Sequence, residues 1–198
     1  MSWPALIISI VLTVLLASPF QWFMGAGKDT FIRREPSPGA AWGEASFLSG
    51  IAAIAWVGLF GGLAIGAATL LALALAAAAV TLYEWTRRTV GPQRFYIGLT
   101  DRVPAAVLEA GPYRHLRHPF YLSYLIAFAA VAVAMRSRLG AGVALANTAL
   151  FVAMALHDER TLARSPLAAD YASYRRRVGA LLLLPWRAGG HKAPPAAD

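Results

Sequence analysis

Apolar residues fall along this chain in four blocks, and the block lengths set the architecture. Trp3 to about Met24, relieved only by Ser9, Thr13, Ser18 and Gln21, suffices for one helical crossing of a hydrocarbon layer about 30 Å thick. Pro19 is placed to kink its last turns, which is tolerated where neighbouring helices cover the freed carbonyl. Gly25 to Glu44 carries Lys28, Arg33, Arg34, Pro36, Pro38 and Gly39 and reads as a loop. Ser46 to Tyr83 is apolar for too long to be one crossing, since a span needs about 20 residues. Two crossings must share it, with Gly58, Gly61, Gly62 and Gly66 marking the hairpin.

Glu84 to Leu116 is the longest polar connection. Phe120 to about Met135 and Leu139 to about Leu156 then give a fourth and a fifth span around the basic turn Arg136, Ser137, Arg138. Asn147, in the middle of the fifth, is best placed as a helix-to-helix hydrogen bond. From Asp158 to Val178 the residues Leu162, Leu167, Tyr171, Tyr174 and Val178 recur at three- and four-residue spacings among arginines. That pattern predicts a helix lying along the interface, interrupted near Pro166. Leu181 to Trp186 reads as a re-entrant or interfacial anchor, and residues 191–198 as a disordered tail. The expected fold is all-α: one polytopic domain over residues 1–190, with about five transmembrane helices and a C-terminal interfacial helix.

Composition agrees with the pattern. The chain is 58% hydrophobic and 14% charged, whereas a soluble domain is nearer about a quarter charged. Cysteine is absent, which excludes disulfides, thiolate metal ligands and a catalytic thiol. The histidines and acids show no close repeated ligand pair, so no metal is expected. The N-terminal run lacks a basic n-region and an A-x-A-like cleavage site and reads as a retained span. A net charge of +8 raises the question of nucleic acid, but the arginines sit in short segments between apolar runs. Anionic lipid headgroups are the better counter-charge. With five spans, sixteen of the eighteen Lys and Arg residues fall on one side and only Arg136 and Arg138 on the other. The N-terminus is then expected outside and the C-terminus in the cytoplasm, in a membrane such as a bacterial inner membrane.

Candidate chemistry collects at the mouths of the last two spans. Residues 111–121 read GPYRHLRHPFY, packing prolines, arginines, histidines and tyrosines where polar groups are costly unless they bind something. His157, Asp158 and Glu159 stand at the exit of the fifth span. Two antiparallel helices joined by a tight turn have adjacent far ends, so both clusters should line one pocket. Its cationic, anionic and aromatic groups suit a zwitterion with a flat ring and a positive centre, which S-adenosylmethionine is. A nucleotide or a phospholipid headgroup would fit the same groups. His118 has a blander reading as a cap of the fourth helix through its ring, and Arg175 to Arg177 as lipid-facing charges.

GPYRHLRHPFY, the apolar hairpin after it, the pair Asp158 and Glu159 with Leu162, then Tyr171, Tyr174 and Pro185 resemble the isoprenylcysteine carboxyl methyltransferase and phospholipid methyltransferase superfamily of membrane enzymes. The resemblance covers about the last hundred residues, with residues 87–187 as the cofactor half. It implies S-adenosylmethionine-dependent methyl transfer, with the cofactor near Val107, Leu108, Tyr113, His118, Pro119, Phe120, Tyr121, Asp158 and Glu159. Arg117 and Glu159 are its catalytic candidates. The acceptor it implies is lipophilic or small, a carboxylate, thiol or amine at the cytoplasmic membrane face. Three features depart from the isoprenylcysteine enzymes, the first being Asp158 in an acidic pair that is usually two glutamates. Met154 stands where they carry an arginine, and Ser165, Pro166, Leu167 and Ala168 replace their Phe-Gly. A methionine cannot hold a carboxylate. The alternatives are an NADPH-dependent membrane reductase of the sterol-reductase type and a non-catalytic membrane binding subunit.

Overall fold

The computed structural model describes residues 2–32, 38–61, 63–91, 95–96 and 104–181. It is a helical bundle: α1 (Trp3–Thr30), α2 (Pro38–Trp56), α3 (Ala67–Val90), α4 (Pro119–Met135), α5 (Arg138–Ala163) and α6 (Ala168–Arg177). Four of these hold stretches long and apolar enough to cross a membrane, Trp3–Ala26, Ala41–Phe60, Ala67–Val90 and Arg138–Ala163. The fifth, α4, has 17 residues and is about 25 Å long, close to the hydrocarbon thickness. The polytopic all-α architecture expected from the pattern is therefore the one observed.

Ser46 to Tyr83 does fold back on itself. A π-helical turn, Val57–Gly61, continues α2, and Gly66 caps α3. The serine Ser9 of α1 fastens this corner: its hydroxyl donates to the Gly58 carbonyl and accepts from the Leu63 N–H, both at 2.8 Å. Gly58 lies so close to Thr13 that a Cβ there would collide with its hydroxyl. At the other end, Phe31–Ile32 after α1 pairs in parallel with Phe95–Tyr96 after α3. The ends of α1 and α3 therefore share one face, as two crossings between them require.

Several boundaries differ from expectation. The loop predicted over Gly25 to Glu44 is shorter, because α1 continues to Thr30 and α2 begins at Pro38, with proline suited to a first helical turn. Helix α3 runs past Tyr83 to Val90, where Glu84 accepts from Arg87 and Arg88 and so offsets part of the charge of the added turns. The interfacial helix is shorter than Asp158 to Val178. Its first turn belongs to α5, the chain breaks at Arg164 to Leu167, and α6 starts at Ala168. Ser165 makes that break: its hydroxyl donates to the Leu162 carbonyl at 2.8 Å and accepts from Leu167 N–H at 3.1 Å, a local turn that competes with the helix. Arg33, Arg34, Pro36, Gly62, Arg94, Asp101, Arg102, Pro185, most of the 181–186 anchor and the 191–198 tail lie outside the described residues.

Helix α4 is central and packs against α1, α2, α3 and α5. Rings fill the contact. Phe20 and Phe23 of α1, Phe47 of α2, Tyr83 of α3, Tyr124 and Phe128 of α4 and Phe151 of α5 are all buried and meet at centroid separations such as 4.9 Å for Phe20 and Phe128 and 5.0 Å for Tyr124 and Phe151. Asn147 bridges α5 to α2, accepting from the Ser46 hydroxyl and donating to Ser49 Oγ at 3.3 Å. It is the interhelical bond expected of it.

Gly111 opens the segment that carries the site. Its φ of +53° favours glycine, and a Cβ there would run into Thr89 of α3. Gly111→Ala is expected to destabilise the protein by about 1–3 kcal/mol. Thermal unfolding in detergent checks this, and a midpoint equal to wild type contradicts the assignment.

Candidate functional site

Between Gly111 and α4 the chain makes a short 3-10 turn, Gly111–Arg114, and then enters the helix through His118 and Pro119. Proline at the first helical position costs no hydrogen bond, and its fixed φ starts the helix. His118 occupies the cap position, but its ring makes no cap bond. It turns instead to α5, where Nε2 lies 3.2 Å from Glu159 Oε1. The capping reading of this side chain is thus replaced by an inter-helix contact.

Glu159 is the centre of the cluster. Arg117 Nη2 lies 2.8 Å from its Oε1, and Arg175 Nε, from α6, 3.7 Å from its Oε2. The Arg117 and Glu159 side chains are 9% and 10% exposed, so this is a buried pair, whereas Arg175 is 57% exposed and weakly held. One residue earlier, Asp158 accepts a hydrogen bond from the Tyr121 hydroxyl at 2.7 Å. Tyr121 in turn stacks on His118, with centroids 5.6 Å apart. The two clusters that flank the last hairpin therefore meet at one end of the bundle.

Helix α6 roofs the cluster. Arg117 N–H donates to Gly179 O at 2.9 Å and His118 N–H to Ala180 O at 3.1 Å, so the chain just past α6 runs alongside the motif. Arg117 Nη1 donates to Arg175 O at 3.3 Å, and the Tyr174 hydroxyl donates to Tyr113 O at 2.7 Å. Burial pushes the phenols of Tyr113 and Tyr174 well up, and that of Tyr171 up to about 12, the last also through the negative Glu159. All three stay protonated donors at neutral pH.

The structure brings Arg117, His118, Tyr121, Asp158 and Glu159 into direct contact, with Pro119 and Phe120 forming the first turn beneath them. Phe120 packs edge-on against Tyr83 at 5.1 Å. Tyr113 is tied in through its carbonyl. Leu108 packs on the main core, while Val107 sits under α6 with Tyr171, Tyr174 and Val178. Two groups were missed. Arg175 reaches Glu159, and Arg177 pairs with Glu109 at 2.9 Å, so these cations do not simply face lipid. Tyr171 is buried beside the cluster. The signal was present in the four-residue step from Tyr171 to Arg175, which puts both on one helix face.

Three buried polar atoms have no hydrogen-bond partner among the described residues: Arg117 Nε, Tyr171 Oη and His157 Nε2. Buried groups of this kind are normally satisfied, so the two beside the ion cluster, Arg117 Nε and Tyr171 Oη, mark a place for something else to bind. The phospholipid methyltransferase family model matches residues 67–165, half of the 198-residue chain. No curated protein and no solved structure matches. The matched stretch spans α3, α4 and α5 and carries the whole set of contacts that Arg117, His118 and Tyr121 make with Asp158 and Glu159. This membrane-spanning chain belongs to the phospholipid methyltransferase family.

Proposed function

We propose that the chain transfers a methyl group from S-adenosylmethionine to a lipophilic acceptor at the cytoplasmic face of the membrane, with residues 87–187 as the cofactor half. A phospholipid headgroup amine is favoured over a carboxylate or a thiol. The family match supports a phospholipid, and Met154, 2% exposed and apolar, leaves no cation one turn before Asp158 to hold a carboxylate. The abundance of cations on the face that carries the site supports its cytoplasmic placement.

The observation that carries this reading is the pair of unsatisfied donors beside Glu159, Arg117 Nε and Tyr171 Oη. The residues present fit the cofactor's parts. Those two donors suit its carboxylate, Asp158 and Glu159 suit its amino and ribose hydroxyl groups, and the rings of Tyr113, Phe120 and Tyr121 suit a flat base and a cationic centre. Val107, Leu108 and Pro119 supply apolar surface nearby. When bound, S-adenosylmethionine supplies a methyl carbon on positively charged sulfur, open to a nucleophile. The chain's task is then alignment and exclusion of water. Arg117 and His118 hold Glu159 in one orientation, Tyr121 does the same for Asp158, and α6 covers both.

Thermal unfolding of detergent-solubilised protein tests the ligand. Adenosylhomocysteine at a hundred times its dissociation constant should add about 2.7 kcal/mol of stability, and NADPH none. No response to adenosylhomocysteine removes the methyltransferase reading. A double-mutant cycle tests the ion pair: Glu159→Ala should cost about 3–5 kcal/mol, because it strands the Arg117 charge, and the Arg117→Ala, Glu159→Ala double variant should cost clearly less than the two single changes added. Additive costs would show that the two side chains do not act as a unit.

A further inference from the structure

Of the three unpartnered buried atoms, His157 Nε2 has no part in the cofactor reading above. Successive residues of an α-helix are turned by about 100°, so His157 and Glu159 project on nearly opposite sides of α5, with Asp158 between them. Glu159 is committed to Arg117, His118 and Arg175, and Asp158 to Tyr121. His157 thus faces a second side of the same helix end. The stripe leading to it from the membrane interior is Leu150 and Met154, both packed against the apolar core. Met154, 2% exposed, closes that face below His157, so a headgroup amine reaches the imidazole nitrogen from the helix end, beside the carboxylate of Asp158.

We propose that His157 is the proton acceptor for the methyl acceptor, whose reacting atom is an amine nitrogen. The assignment rests on the reading of the chain as a lipid methyltransferase. An amine at neutral pH is largely an ammonium ion and has no lone pair with which to attack. With its own proton on Nδ1, His157 takes one proton from the ammonium at Nε2. The nitrogen–hydrogen bond breaks, its electron pair stays on the substrate nitrogen, and His157 becomes an imidazolium beside the Asp158 carboxylate. The proton later passes to water. A carboxylate or thiolate acceptor needs no such step, and a quaternary ammonium has no proton to give.

The test uses the full chain in nanodiscs of phosphatidylethanolamine or of phosphatidylcholine, the latter with and without soluble ethanolamine. His157→Gln and His157→Ala should lower kcat for the amine by about a hundredfold or more, with KM for the methyl donor unchanged. Added imidazole should restore part of the rate to His157→Ala but not to His157→Gln, whose side chain fills the space. An unchanged thermal shift with adenosylhomocysteine shows that both variants are folded. Independently of turnover, the imidazole nitrogen signals of His157 should shift in phosphatidylethanolamine relative to phosphatidylcholine. A shift with soluble ethanolamine alone would make the source a small amine. Variants with wild-type kcat, or His157 signals identical in every lipid and amine, overturn the assignment. A wild-type chain that methylates no amine sinks the lipid-amine reading instead, and the nitrogen signals still decide whether His157 meets one.

Discussion

A carboxylate buried at the end of a membrane helix has to be neutralised, and most of the site's geometry follows from how Glu159 achieves this. Its own helix offers it no cation among its close contacts. Arg117 and His118 come from the segment entering α4 and Arg175 from α6, so three pieces of chain must converge before the charge is tolerable. The effective penalty for an unpaired buried ion is several kcal/mol. Convergence is therefore enforced by the same charge that gives the site its chemistry.

The convergence is possible because α4 is held from all sides. Its buried rings interlock with those of α1, α2, α3 and α5, and that packing fixes where its first turn stands. Lipid supplies no hydrophobic drive between helices, so association rests on close packing and a few polar ties. The bonds of Asn147 to Ser46 and Ser49 and of Ser9 to the α2 corner are ties of this kind. Gly111 adds a close approach to Thr89 of α3. Register at the core thus becomes register at the site, about one helix turn away.

Much of this was legible in the residues. Block lengths gave the crossings, because membrane thickness is a hard constraint on helix length. The tight turn at Arg136 to Arg138 is enough to bring Tyr121 and Asp158 to the same end. Helix ends were less legible. Polar residues at His157 to Glu159 look like an exit, yet an amphipathic last turn costs little once its charges are paired or reach water. Partners that depend on tertiary placement were illegible. The four-residue step from Tyr171 puts Arg175 rather than Arg176 on the face of the buried tyrosine, but nothing local names Glu159 as its partner, and the backbone acceptors Gly179 and Ala180 carry no side-chain signal at all.

The extension of α5 past its expected end has a consequence for the chemistry. Had the chain left the helix at His157, as the pattern first implied, the next residues would have been free to fold onto one surface. Held in a helix, His157, Asp158 and Glu159 fan out by about 100° at each step. The Glu159 side is closed by α6 and the cations beneath it, while the His157 side continues over Leu150 and Met154, which pack against the apolar core. Asp158, fixed by Tyr121, is the wall between them. One helix turn is thereby divided between the ion cluster, the α4 tyrosine and an imidazole nitrogen with no partner among the described residues.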